Sequence, residues 1–241
     1  MSTALMMEEL SPRFKARMAG VFYLLTFLTG GAVLSAGRGL VVSGDAAATA
    51  ANVLAHESSL QLVFAADLLV TAWYVVVTAL FYDLFKPVNR SLSLLAAFFS
   101  LVGCAIGGAS GFFHLAPLAV LRGAPYLSVF KVEQLQALAF LLLKLHAQAN
   151  SISLVFFGFY CLLIGYLVFK SAFLPRILGV LMAFGGLGWL TFLSPSLASS
   201  LYPYVLAPGI LGEGALTLWL LLAGVNVQRW QEQARAERPL S

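Results

Sequence analysis

Three ionisable side chains interrupt long apolar runs in this sequence: Asp67, His114 and Glu213. Placing such a group at bilayer depth costs at least about 2.5–3.5 kcal/mol on insertion scales, so each marks a candidate site or an ion pair. Carboxylates and imidazoles together support two kinds of chemistry. In the first they ligate a divalent metal, zinc above all, and a remaining acid activates bound water against an ester or amide. The candidate metal ligands are then His56, His114 and His146, joined by Asp67 or Glu213. In the second they bind or conduct a small solute or a lipid headgroup, and the pocket is lined by Arg38, Asp67, Thr71, His114 and Glu213. No H-E-x-x-H or other close-spaced ligand pair is present, no motif requires a cofactor, and no residue stands out as catalytic. A third reading gives the same residues structural work. Asp67 pairs with Arg38, Glu213 occupies the favourable N-terminal end of a helix dipole, and His114 donates to a backbone carbonyl or to Ser110. On that reading the chain is a structural or accessory membrane subunit without chemistry.

Spacing says where these groups point. Asp67, Thr71, Tyr74 and Thr78 recur at i, i+4, i+7 and i+11, one face of a helix. A polar stripe of this kind should face protein or water rather than lipid. Gly103, Gly107 and Gly111 repeat at four-residue spacing, and small residues let membrane helices approach closely. His114 shares their face and should point inward. Together these patterns predict an outward-opening polar pocket between the second, third and sixth helices. At about 1.5 Å per residue, its ionisable groups sit roughly 5–12 Å deep.

Such groups need a lipid-facing bundle to hold them. The chain is 61% hydrophobic and 10% charged, whereas a soluble domain carries about a quarter charged residues. A bilayer core takes about 20 mostly apolar residues per helix. Six runs qualify: Met18–Ala36, Leu60–Phe81, Leu92–Ala116, Ile152–Phe169, Ile177–Leu193 and Pro208–Val227. The fold class is therefore all-α, an integral membrane bundle of six transmembrane helices with an additional outer interfacial helix at 127–146. Residues 1–17 make a cytoplasmic N-terminal segment, 18–227 the transmembrane domain, and 228–241 a short solvated cytoplasmic tail.

Both ends are placed inside by the distribution of basic residues. Arg13, Lys15, Arg17, Lys86, Arg90, Lys170, Arg176, Arg229, Arg235 and Arg238 fall on the cytoplasmic side, against Arg38, Arg122, Lys131 and Lys144 outside. A seventh span in 126–149 would reverse that balance. The basic clusters flank apolar runs and suit anionic headgroups, so the expected partners are membrane lipids and not nucleic acid. Cys104 and Cys161 both lie within apolar runs, so no structural disulfide is expected.

Several stretches together carry a family resemblance: Ala16-Arg-Met-Ala-Gly-Val-Phe-Tyr-Leu-Leu25, Leu84-Phe-Lys-Pro-Val-Asn89, Phe156-Phe-Gly-Phe-Tyr160, Ser171-Ala-Phe-Leu-Pro-Arg-Ile-Leu-Gly179 and Leu218-Trp-Leu-Leu-Leu-Ala-Gly-Val225. The sequence resembles the bacterial membrane-protein family catalogued as domain of unknown function 4386, over about residues 14 to 227. The resemblance implies a multi-pass protein of the bacterial cytoplasmic membrane. It brings no activity and no catalytic residues.

Overall fold

The computed structural model describes residues 11–236. Arg238, which enters the count of basic residues, lies outside the described residues, as do parts of the 1–17 and 228–241 segments. The chain is all-helical, with no strand among the described residues. In order come α1 (Pro12–Ala36), α2 (Ala46–Ala55), α3 (Glu57–Phe85), α4 (Arg90–Leu121), α5 (Val132–Lys170), α6 (Arg176–Leu190), α7 (Pro195–Leu201), α8 (Leu206–Leu222) and α9 (Val227–Ala236). Helices α1, α3, α4, α5 and the run Arg176–Leu193 are long and apolar enough to cross a membrane. The pair α7 and α8, bent by 80° at its break, makes a sixth if counted as one span.

The helix boundaries follow local chemistry. Asp45 caps α2 by accepting from the Ala48 N–H at 2.8 Å, and Asn89 accepts from the Leu92 N–H at 2.9 Å at the start of α4; each satisfies an N–H with no helical partner. Helix α3 ends just before Lys86-Pro87, since proline cannot continue it. Pro208 lies inside the first turn of α8, where its missing N–H costs nothing.

Two segments differ from the sequence reading. The stretch 127–146 is not a separate element: after a 3-10 turn at Pro125–Leu127, α5 runs unbroken from Val132 to Lys170. No proline or glycine occurs before Gly158, and Ser151 turns its hydroxyl onto the Ala147 carbonyl of its own helix at 3.1 Å, so the polar residues around 150 do not interrupt it. The helix has 39 residues, a length of about 58 Å. That is about twice the 30 Å thickness of a hydrocarbon core.

The C-terminal stretch is the second departure. It forms α9, and Trp230 Nε1 donates to the Leu84 carbonyl at 2.9 Å. Gln233 accepts from the Ala172 N–H at 3.1 Å. The segment is docked, not merely solvated.

The chain divides into two compact units. Among the described residues, the first holds those up to Leu25, Trp73–Gly103 and those from Leu154 onward. Its helices touch backbone to backbone at glycines: a Cβ at Gly179 would stand 2.5 Å from the Gly165 carbonyl oxygen, and one at Gly212 would stand 2.9 Å from the Leu181 carbonyl carbon. Buried Lys15 pairs with Asp83 at 2.6 Å, and Lys86 pairs with the same carboxylate at 2.7 Å. The second unit, Thr26–Ala72 with Cys104–Ser153, is centred on Leu40, Val53, Leu60, Leu118 and Leu143. Arg122 pairs with Glu57 at its surface. Gly111 of the expected glycine stripe meets the Phe64 ring, 2.8 Å from where a Cβ would stand. That stripe is a packing face.

Candidate metal centre

Asp67 on α3, His114 on α4 and His146 on α5 come together within the second unit. One donor atom from each lies within 4.8 Å of the others. The two imidazoles meet edge to face with ring centroids 4.7 Å apart. Three separate helices supply the group, each presenting one residue on its packed face.

Hydrogen bonds set the ring tautomers. His114 Nε2 lies 3.1 Å from the Leu60 carbonyl oxygen, and a carbonyl can only accept, so the proton sits on Nε2. In the neutral ring the lone pair is then on Nδ1. That nitrogen is buried and has no hydrogen-bond partner. His146 is held in a complementary way: Nδ1 donates to the Ser110 carbonyl at 3.1 Å, leaving Nε2 to accept from the Asn150 amide at 3.1 Å. Asn150 is steadied by Ser110, whose hydroxyl lies 3.1 Å from its Oδ1. Each histidine therefore gives one N–H to a backbone carbonyl and keeps the other nitrogen as a donor atom. Metal-ligating histidines are oriented in this manner.

The other candidate residues lie elsewhere. Thr71 donates to the Asp67 backbone carbonyl at 3.0 Å, and its methyl packs towards Gly108. His56 and Arg38 line a shallow depression of the second unit with Asn52 and Ser59, and His56 Nδ1 contacts its own helix at Asn52 O, 3.0 Å away. Arg38 forms no ion pair with Asp67; the ion pairs among the described residues are Lys15–Asp83, Lys86–Asp83 and Arg122–Glu57.

Glu213 belongs to the first unit. It is buried and accepts from Tyr23 at 2.5 Å, Trp189 Nε1 at 2.6 Å and Tyr74 at 3.1 Å. A carboxylate offers about four acceptor positions, and these donors take three of them.

Sequence reading did not single out Tyr23, Trp189 or Asn150. The first two are lone polar-tipped aromatics in apolar runs and carry no periodic signal. Asn150 did leave one: it follows His146 by four residues, as His114 follows Ser110, so both pairs share a helix face.

A family model described as domain of unknown function, DUF4386, matches residues 18–224. An uncharacterized protein of Archaeoglobus fulgidus is 27% identical over 151 residues, covering 62% of this chain and 76% of its own length. No solved structure matches.

Proposed function

The chain belongs to the DUF4386 family, and we propose that it is a membrane-embedded metalloprotein in which Asp67, His114 and His146 hold a divalent cation, zinc foremost. The observation that carries this reading is the buried, unpartnered His114 Nδ1 in a cluster whose donor atoms lie within 4.8 Å. A buried nitrogen lone pair left unmatched costs about 1–3 kcal/mol, and a cation recovers that cost. The donor set fits: two imidazoles and a carboxylate suit zinc, and three protein ligands leave a fourth position for water. Tetrahedral bonds of about 2.0–2.1 Å put ligand atoms roughly 3.3 Å apart, so the cluster tightens on binding. His146 Nε2 then exchanges its Asn150 contact for the metal.

The reaction class that follows is metal-assisted hydrolysis of an ester or amide, with the bound water as nucleophile. Asp67, His114 and His146 would hold the cation and Asn150 would turn to the water. The basic-residue distribution supports a cytoplasmic-membrane location with both ends inside. A pocket for a small solute or headgroup that includes Glu213 draws less support, because that buried carboxyl is already engaged by three donors.

The test is metal loading of the full-length, detergent-purified protein. After chelation and reloading with zinc alone, elemental mass spectrometry should find about one zinc per chain. At 100-fold over Kd, zinc should add about 2.7 kcal/mol of stability. His114→Ala and Asp67→Asn should lose the metal and keep their helical content. A parent protein that takes up no zinc, or a folded His114→Ala variant that takes up as much, would sink the reading.

A further inference from the structure

An apolar groove of about 530 Å³ runs between α5 and α6 in the first unit. Its floor is backbone. A Cβ at Gly165 would meet the Gly179 carbonyl oxygen at 2.7 Å and the Ala183 nitrogen at 2.8 Å, so the helices touch there and no side chain fills the space above. Its walls include Tyr166, Phe169 and Leu187, which are 48%, 42% and 58% exposed. From Phe169 back to Leu162 the groove follows eight residues of α5, whose seven rises make about 10 Å of helix. That length seats the upper part of one acyl chain.

One end of the groove is cationic. Lys170 Nζ lies over the Tyr166 ring, 5.8 Å from its centroid, and the Arg176 guanidinium lies over the Phe169 ring at 5.7 Å. Both rings are groove walls. Both cations are exposed, and neither is ion-paired to a carboxylate among the described residues. Their positions straddle the hairpin 171–175, at the last residue of α5 and the first of α6. Two unpaired cations are held by aromatic rings at the mouth of an acyl-sized apolar groove.

From this geometry we infer that the groove is a binding site for an anionic diacyl phospholipid. One acyl chain lies along Gly165, Gly179 and Ala183, and the phosphate sits between Lys170 and Arg176. A zwitterionic lipid would offer the same chain but no net charge to the cations.

The test uses delipidated full-length protein in detergent, titrated with phosphatidylglycerol and phosphatidylcholine of equal chain length and read by native mass spectrometry. One basic residue near an anionic headgroup contributes about a fivefold preference and two about thirtyfold, so the parent should favour phosphatidylglycerol roughly 5- to 30-fold. Lys170→Gln with Arg176→Gln should bring the ratio close to one. Val180→Trp, which fills the groove from an exposed position, should reduce binding of both lipids with helicity unchanged. Equal binding of the two lipids by the parent, or a preference that survives the double substitution, would overturn the site. So would full phosphatidylglycerol binding by a folded Val180→Trp variant, or inorganic phosphate displacing the lipid completely.

Discussion

Replacing Glu213 by leucine tests whether its carboxyl ties the first unit together. The substitution conserves volume and removes every acceptor. Tyr23 brings α1 to this carboxyl, Tyr74 brings α3 and Trp189 brings α6, at 2.5, 3.1 and 2.6 Å. Interhelical hydrogen bonds in membranes average about 0.6 kcal/mol and reach about 1.7, so three of them together are worth about 2–5 kcal/mol. A second route gives a similar figure. The two tyrosine hydroxyls lie 3.0 Å apart and can pair with each other, which strands one O–H and the indole N–H. At about 1–3 kcal/mol for each buried unmatched group, the loss is about 2–6 kcal/mol.

Glu213→Gln should behave differently. Its carbonyl can take the indole N–H, which can only donate, and its amide can donate to hydroxyls that rotate to accept. The expected loss is below about 1 kcal/mol. The assay is equilibrium unfolding in mixed micelles, followed by circular dichroism. If the leucine variant unfolds within about 0.5 kcal/mol of the parent, or glutamine costs as much as leucine, the carboxyl is not the tie described here, whose expected loss is several-fold larger.

Other substitutions test neighbouring features. Asp83→Ala should cost about 3 kcal/mol, because it strands the buried Lys15 ammonium. Lys86→Ala at the exposed side of the same carboxylate should cost at most about 1 kcal/mol in the same unfolding assay. Gly212→Ala drives a methyl into the Leu181 carbonyl and should lower stability by about 1–3 kcal/mol. Gly214→Ala, with nothing within 4 Å of its Cβ, should be neutral or stabilising by up to about 1 kcal/mol; equal thermal shifts for the two would contradict the close α6–α8 approach. Trp230→Phe removes the bond to the Leu84 carbonyl, so amide exchange across Val227–Ala236 should accelerate, with the spanning helices unchanged.

Much of the architecture was legible in the residues alone. Hydrocarbon thickness sets the length of an apolar run, so the run lengths revealed spans of the kind the helices show. Proline and glycine mark breaks by backbone chemistry, and α3 stops at Lys86-Pro87 for that reason. The same logic explains where reading 127–146 as a separate helix departed from the structure. The basic-residue balance argued against a further span in 126–149, but nothing near Asn150 forbids a helix, and Ser151 satisfies itself on its own backbone. A charge count sets which side a segment lies on, and only a breaker residue says where a helix must stop.

The candidate site divides along the same line. Asp67, His114 and Glu213 stood out because ionisable groups in apolar helices are costly, and His146 entered as a candidate ligand by residue type alone. Which of them share a space was set by packing. Asp67, His114 and His146 come from three helices whose relative rotation is invisible in a one-dimensional pattern, and they converge. Glu213 had the same sequence signature and belongs to a different unit, where three donors engage its carboxyl. Residue chemistry is local and can be read along the chain. Lone pairs left open or filled depend on neighbours distant in sequence, and only the tertiary structure decides them.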